Sequence, residues 1–569
     1  MKLKEFGDEL LQSSKYSLKR FPITLIISFI LFVLLVVLNE GVIDNRDLMI
    51  RICLITGLAL PVSILIQLIN ETYLKKKSFR IISWLMGGIF LLLYYLVYLR
   101  NLNTIAYTRY IGMVLLFILG SAYIQKLRNK DNFEKYIISI LNAIFITGIY
   151  SVVLYLGLVF IVFTLGQLFN LNIIDYIYYY VFLAIIFIFG VSMFLSKYPR
   201  KDFTDSIYPK AFKMLLLYIL IPLVSIYTII LLAYFTKILV TQEWPSGLVS
   251  HLVIWYSTVS VFLIFFILPI LEENKLALNF KRYFPLANIP ILLMMFVSIG
   301  QRINQYGFTE NRYYILLLGI WILLIMIHFI TKRPKHSSFI LISLSAFILI
   351  SVLGPLSSFN VSIRSQNNRL NELLKKNNIL LSGDIVPNRG VLDEEQRDIS
   401  NILAYFNDKH SLDNIEILPE GYNLNSMKED FGFAFTPDYS IESDSFYYEN
   451  EWTDAIDLNG YDFYIPVNSW IDKGFTVAEL DIEYNIRDHR LTISNEGEET
   501  RLDIKAYVRS VLDQIEHNQQ VNSETMAVVV EADYNIKLIF NRIGGNQVSN
   551  GDDIELYEVD FILLLEYNK

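Results

Sequence analysis

The sequence predicts an all-α polytopic transmembrane bundle of about 11 helices, followed by a soluble α+β domain. The chain has 569 residues, of which 54% are hydrophobic, and its mean hydropathy is +0.42. Only 18% of the residues are charged, whereas ordinary soluble domains have about 25%. Apolar segments long enough to cross roughly 30 Å of hydrocarbon recur up to residue 356 and then stop. These features exclude a disordered chain, a fibrous repeat and a purely soluble enzyme.

The charge distribution divides the chain at the same place. Residues 1–360 contain 31 Lys and Arg against 16 Asp and Glu, whereas residues 361–569 contain 17 against 40. A basic apolar half and an acidic polar half indicate two different environments. We therefore expect a segment 1–20 at the membrane surface, a transmembrane domain 21–356 and a soluble α+β domain 357–569. The acidic half is not expected to bind nucleic acid, because phosphate binding needs clustered cations.

Eleven apolar segments are predicted to be membrane helices. Helices are expected rather than barrel strands, because no ten-residue alternation of apolar and polar residues occurs. The fifth segment has 33 residues, which is too short for two spans and a turn, so it is predicted to be one long helix. The ninth is strongly apolar only as far as Ile299 and is also compatible with a re-entrant helix. The segments are Phe21–Leu38, Leu48–Ile69, Ile81–Leu99, Tyr110–Ile124, Tyr136–Leu168, Ile173–Leu195, Ala211–Val240, Leu248–Leu271, Leu286–Ile303, Tyr313–Ile330 and Ser338–Leu356.

The loops between these segments predict the orientation. Lys and Arg cluster in alternate loops, around residues 75–80, 126–135, 197–210, 275–282 and 332–335. Basic loops stay in the cytoplasm, so the N-terminus is predicted to be cytoplasmic. Because basic loops flank spans nine and ten, these two must cross as a pair. Eleven spans then place the acidic domain outside the cytoplasmic membrane.

The acidic domain shows both helical and strand patterns. Leu370, Leu373 and Leu374 indicate a helix near 361–379, and Ile399, Ile402 and Phe406 form part of the apolar face of a second helix. Strands are expected at Phe463–Val467, Leu480–Tyr484, Met526–Val530, Lys537–Phe540 and Ile554–Leu565, with a helix at Leu502–Ile515 and a long turn from Gly544 to Asp552.

Three sequence blocks give the chain a family resemblance. They are Tyr208–Lys213, Thr236–Val240 followed by Glu243–Gly247, and Ile299–Tyr313. They resemble the signature blocks of the "domain of unknown function 4153" family of bacterial polytopic membrane proteins. The resemblance is strong over about residues 200–335 and extends loosely to Ser365-Gln366 and Asp398–Tyr405. It implies a location in the bacterial cytoplasmic (inner) membrane, and it implies no reaction.

The richest polar cluster lies between spans nine and ten, on the predicted outer face. Two arginines, a glutamate and several amides are more than a turn requires. An arginine here could bind a carboxylate or phosphate through two hydrogen bonds. Alternatively, Glu310 and Glu243 could pair with these arginines and hold the hairpins together. The candidate polar outer-face site comprises Gln301, Arg302, Gln305, Tyr306, Glu310, Asn311, Arg312, Glu243 and Trp244.

The sequence contains no motif that predicts catalysis. P-loop, zinc-protease and nucleophile-elbow patterns do not occur. The six histidines are too far apart for local zinc-ligand spacing, and the one cysteine, Cys53, has no partner. We therefore expect no cofactor and no metal.

Three functions remain open. The preferred interpretation is a non-enzymatic cell-envelope protein for binding, sensing or scaffolding. Its expected partners are the lipid bilayer and either an envelope protein or a small ligand at the outer face. The alternative is a transporter or lipid-handling permease with the polar cluster as its site. A membrane transferase has the weakest support, because only Glu243, Glu310 and the arginines favour it.

Overall fold

The structure is a computed structural model of the chain. It describes residues 15–41, 45–128, 132–169, 176–200, 208–241, 248–331, 337–381, 383–419, 421–437, 445–450, 456–468, 474–485, 488–495, 498–518, 521–531, 534–547 and 554–567.

The first part of the chain is a bundle of apolar helices, as the sequence predicts. Two of these helices contain a π-helical segment, one at Ile185–Gly190 and the other at Leu215–Leu220. The helices are α1 (Pro22–Glu40), α2 (Arg46–Thr72), α3 (Lys77–Tyr98), α4 (Thr104–Ile124), α5 (Phe133–Phe169), α6 (Tyr176–Lys197), α7 (Lys210–Thr241), α8 (Leu248–Ile267), α9 (Lys275–Tyr306), α10 (Glu310–Thr331) and α11 (Ser338–Val352).

Ten of these helices in the described ranges are long and apolar enough to cross a membrane. The fifth segment is one continuous helix of 37 residues, as predicted. Helix α9 is also continuous and has 32 residues, so it begins before the apolar segment from which it was predicted. Helix α11 has only 15 residues, which span about 22 Å. The last predicted segment is therefore helical but shorter than expected.

Among the described residues, two groups of buried side chains hold the bundle together. The larger group is centred on helices α7 to α10 and includes Phe265, Leu292 and Trp321, each at most 1% exposed. The smaller group joins α2, α3, α4 and α11 through residues such as Leu58 and Met113. Helix α2 packs against α1, α3 and α4, while α11 packs against α4 and α10. Apolar side chains on the outer surface of the bundle are exposed, as expected for helices that face lipid.

The chain divides into two compact units, Met1–Glu395 with Ile402–Ala434, and Gln396–Asn401 with Phe435–Lys569. The first unit therefore contains the bundle and also polar elements that follow it. The domain boundary expected at residue 356 was inferred from the change in hydropathy there. It describes the end of the apolar helices rather than a division between the two units, and it stays a prediction. The polar elements after the bundle are helices α12 (Ser358–Lys376), α13 (Asp393–Lys409) and α14 (Met427–Asp430), with the short strands β1 (Leu380–Leu381) and β2 (Asp384–Ile385).

The described residues of the second unit after Phe435 form two antiparallel sheets and one helix, which agrees with the predicted α+β class. The elements are β3 (Ser445–Glu449), β4 (Phe463–Val467), β5 (Phe475–Val477), β6 (Leu480–Asn485), β7 (Arg490–Asn495), β8 (Glu498–Asp503), α15 (Ile504–Asn518), β9 (Ala527–Glu531), β10 (Asn535–Gln547) and β11 (Ile554–Glu566). In the first sheet the order is β3-β10-β11-β4, and β9 also pairs with β10. The second sheet has the order β5-β6-β7-β8.

Both sheets and helix α15 contribute to one hydrophobic core, which contains Ile482, Val508 and Phe561. The turn expected from Gly544 to Asp552 does not begin at Gly544, because β10 continues to Gln547. The rest of the predicted turn lies outside the described residues. The register shifts between Gly544 and Gly545, and the rings of Tyr447 and Tyr557 occupy the space that a side chain at position 544 would need. These glycines therefore mark a β-bulge and a close approach rather than a turn.

Candidate functional site

The predicted polar cluster forms the connection between helices α9 and α10. Helix α9 ends at Tyr306, and Gly307 follows with φ +71° and ψ −179°. The Gly307 N–H donates to the Ile303 carbonyl over 2.9 Å. This backbone conformation is essentially restricted to glycine. The turn is therefore sharp, and helix α10 begins three residues later at Glu310.

The Glu310 carboxylate binds two side chains from the polar part of the first unit. The Tyr405 hydroxyl lies 2.8 Å from both carboxylate oxygens, and Nε2 of His410 lies 2.8 Å from Oε1. The His410 side chain is only 1% exposed. Since a carboxylate accepts hydrogen bonds, Nε2 carries the proton in this arrangement. Glu310 thus pairs with a histidine and a tyrosine instead of an arginine.

Arg312 binds the end of helix α9. Its Nη1 donates to the carbonyls of Tyr306 and Gly307 over 3.2 and 2.9 Å. The guanidinium also lies 5.4 Å from the centre of the Tyr306 ring, and that of Arg369 lies 5.7 Å from the same ring. A cation at a helix C-terminus compensates the unpaired carbonyls there. This contact stabilises the turn.

Helix α12 lies against the same turn. The Nε2 atom of Gln366 donates to the carbonyls of Tyr306 and Phe308 over 2.9 and 2.8 Å, and the Phe308 N–H donates to Oγ of Ser365 over 2.9 Å. Ser365, Gln366 and Tyr405 all lie in the segments to which the family resemblance extends loosely. Arg369 and His410 lie outside these segments, and no local pattern in the sequence marks them as part of the site.

The remaining predicted site residues are placed differently. Gln301, Gln305 and Asn311 are exposed and Arg302 is half-buried, and in the described ranges their side chains have no hydrogen bond. Glu243 and Trp244 lie outside the described residues. The structure therefore brings Tyr306, Glu310 and Arg312 together with α12 and α13, and leaves four polar side chains at the edge of this connection.

A second polar network lies at other ends of the helices and was not predicted. Arg20 is 8% exposed and forms an ion pair with Glu71 at 3.0 Å. It also donates to the carbonyls of Tyr198 and Pro199. Gln125 donates to Glu71 over 3.3 Å and accepts from the Tyr136 hydroxyl over 2.9 Å. Within the described residues, the ends of five helices therefore meet around one partly buried ion pair.

The sequence signal for this network was weak. Arg20 precedes the first span and was expected at the lipid surface with the other basic residues. Glu71 lies at the end of α2, so it does not interrupt the apolar run. Among the described residues, no group of three His, Cys, Asp or Glu side chains is arranged to hold a metal ion.

Comparison with known proteins identifies relatives but no activity. A family model described as "Domain of unknown function (DUF4153)" matches residues 26–389. The chain is also similar to the uncharacterized protein PM1469 of Pasteurella multocida (strain Pm70), with 27% identity over 221 residues. That match spans 38% of each chain. No solved structure matches the chain. Because the family model covers more than half of the sequence, including the connection between α9 and α10, the chain belongs to the DUF4153 family of membrane proteins.

Proposed function

We propose that this multi-pass membrane protein is a non-enzymatic cell-envelope protein that holds a binding, sensing or scaffold domain at the outer face of the bacterial cytoplasmic membrane. The observation that carries the proposal is the contact of Glu310 with Tyr405 and His410. It fastens polar helix α13 to the start of membrane helix α10. Three of the polar residues predicted as a ligand site, Tyr306, Glu310 and Arg312, are thus used for attachment.

The charge distribution supports the outer location. Lys and Arg concentrate in alternate loops of the bundle, which favours a cytoplasmic N-terminus. Residues 435–569 contain 28 Asp and Glu against 9 Lys and Arg. An acidic domain of this kind is suited to a cationic or polar partner, and its folded α+β core gives it a stable surface for binding.

A topology experiment tests the orientation. Alkaline phosphatase, which is active only outside the cytoplasm, is fused after Lys569, and a matched fusion is made after Tyr73 in a predicted cytoplasmic loop. We expect activity from the first fusion and none from the second. An inactive but stably expressed fusion at Lys569 would overturn the outer location and make cytoplasmic partners the leading possibility.

Transport is the alternative, and one feature of the bundle favours it. Asn288 is fully buried in α9 between Pro285 and Pro290. Its Oδ1 accepts from Ser257 over 3.2 Å, while its Nδ2 has no partner among the described residues. Polar groups and helix-breaking residues at membrane depth are typical of transport pathways.

Cysteine labelling distinguishes the two functions. The natural cysteine, Cys53, is buried and is first replaced by alanine. Cysteine is then introduced at Asn288 or, as an exposed control, at Asn311, and intact cells are treated with a membrane-impermeant thiol reagent. A solid anchoring bundle leaves position 288 unlabelled while position 311 reacts. Reaction at both positions would indicate a water-filled path and favour transport.

A further inference from the structure

Arg109, near the start of helix α4, lies over two aromatic rings. Its guanidinium carbon lies 5.4 Å from the ring centre of Tyr98 and 5.1 Å from that of Phe359. Phe359 belongs to α12 and is 3% exposed. Cation–π contacts stabilise the charge, but they leave the N–H donors of the guanidinium unused.

No acceptor satisfies these donors within the described residues. Arg109 makes no hydrogen bond or ion pair there, and its Nε atom is buried without a partner. Glu310, an acidic side chain at the start of α10, is bound to Tyr405 and His410. Arg20, by contrast, has a carboxylate and two carbonyls as acceptors. A partly buried cation without such acceptors is costly.

The helices that hold Arg109 also carry unpaired buried hydroxyl groups. The Tyr94 hydroxyl lies on α3, one turn before Tyr98, and Tyr94 is 2% exposed. Ser362 lies one turn after Phe359 on α12 and is fully buried, and its Oγ has no partner among the described residues. The Tyr94 and Tyr98 rings are 5.2 Å apart. Both hydroxyl groups can donate hydrogen bonds.

We infer that Arg109 is the centre of an anion-binding site that takes a phosphate group, supplied either by a phospholipid headgroup or by a free phosphate. A phosphate presents several acceptor oxygens and matches the planar guanidinium, whose donors have no acceptor among the described residues. The unpaired hydroxyl groups of Tyr94 and Ser362 lie on the two helices whose rings contact Arg109 and are further donors on those helices. The location at helix ends suits a headgroup. This inference goes beyond the proposed function and does not depend on the partner of the second unit.

The test compares Arg109→Gln with Arg100→Gln, which removes an exposed arginine just after α3. Full-length proteins are purified in a phosphate-free, non-ionic detergent. Retained phospholipid is measured by native mass spectrometry. The melting temperature is then measured with inorganic phosphate and with chloride at equal ionic strength. We expect the affinity for either the phospholipid or inorganic phosphate to fall at least about tenfold in Arg109→Gln. The same affinity should be unchanged in Arg100→Gln.

The two measurements distinguish the sources. Phospholipid that is retained by the wild type and lost from Arg109→Gln identifies a headgroup, whereas stabilisation by inorganic phosphate alone identifies a free ligand. Equal behaviour of the wild type and Arg109→Gln in both measurements would overturn the inference. If Arg109→Gln does not fold, the wild-type protein still tests the inference. A wild-type protein that retains no phospholipid, and whose melting temperature is the same in phosphate and in chloride, has no such site.

Discussion

The Nη2 atom of Arg20 lies 3.0 Å from Oε2 of Glu71 and joins the start of α1 to the end of α2. The Arg20 side chain is 7% exposed and that of Glu71 is 26% exposed. Because Arg20 also binds the carbonyls of Tyr198 and Pro199, the pair includes the end of α6. The same ion pair thus connects three helices, of which α6 is far from the other two in sequence.

Glu71→Gln is expected to destabilise the bundle by about 3 kcal/mol, because it leaves a buried arginine without its counter-ion. The measurement is the unfolding free energy of the purified protein in detergent. Glu273→Gln is the control, since Glu273 forms an exposed pair with Lys213 and exposed pairs contribute little. Equal losses in the two variants would contradict a special role for the buried pair.

Tyr405→Phe is expected to loosen the attachment of α13, because it removes a hydrogen bond to the Glu310 carboxylate. Hydrogen bonds to charged groups contribute about 1.5–3 kcal/mol, so local opening should become at least about tenfold more frequent. Tryptic cleavage after Lys409 measures this opening. Glu394→Gln changes an exposed residue of the same helix that is far from the cleaved bond, and it should leave the cleavage rate unchanged. A rate for Tyr405→Phe equal to that of the wild type would show that the contact does not hold the helix.

The sequence predicted the membrane helices well, because length and hydropathy are local properties. It also predicted β4 with its observed bounds and β6 to within one residue. It did not predict β7 or β8, although β7 pairs with both β6 and β8. Short strands of this kind acquire their identity from pairing partners, which the local pattern does not contain.

The candidate site was predicted only in part for a similar reason. The density of polar residues around Glu310 was visible in the sequence, but its partner His410 lies 100 residues away. Arg20 was expected at the membrane surface because a basic residue before an apolar run usually faces headgroups. The carboxylate that draws it into the bundle lies 51 residues away. Such long-range pairs require the fold.

Gly307→Ala is expected to destabilise the connection between α9 and α10 by about 2 kcal/mol, because the combination of φ +71° and ψ −179° is essentially restricted to glycine. An added Cβ would also lie 3.0 Å from Nε2 of Gln366 and 3.1 Å from Oγ of Ser365. Gly300→Ala is the matched control, since a Cβ at this helical position meets nothing within 4 Å. Thermal unfolding of both variants checks the prediction. A loss of stability in Gly300→Ala as large as in Gly307→Ala would exclude the backbone explanation.

His489 is expected to make the stability of the second unit depend on pH. The Tyr484 hydroxyl donates to its Nδ1 over 2.9 Å, and its Nε2 donates to the Leu556 carbonyl over 3.2 Å. Burial lowers the pKa of His489 below its ordinary value of 6.5. The histidine therefore folds in its neutral form, and protonation favours the unfolded state.

The stabilisation is thus complete above about pH 6.5 and is lost as the pH falls toward the lower pKa of the folded protein, by at most about 1.4 kcal/mol per pH unit. Hydrogen exchange of the β10 and β11 amides between about pH 7.5 and 5.5, corrected for the intrinsic exchange rate, measures this loss. His489→Asn removes the titrating group, and asparagine tolerates the φ of +50° at this position. The variant should show a smaller loss of protection on acidification. If the wild type and His489→Asn lose protection equally, another group causes the pH dependence.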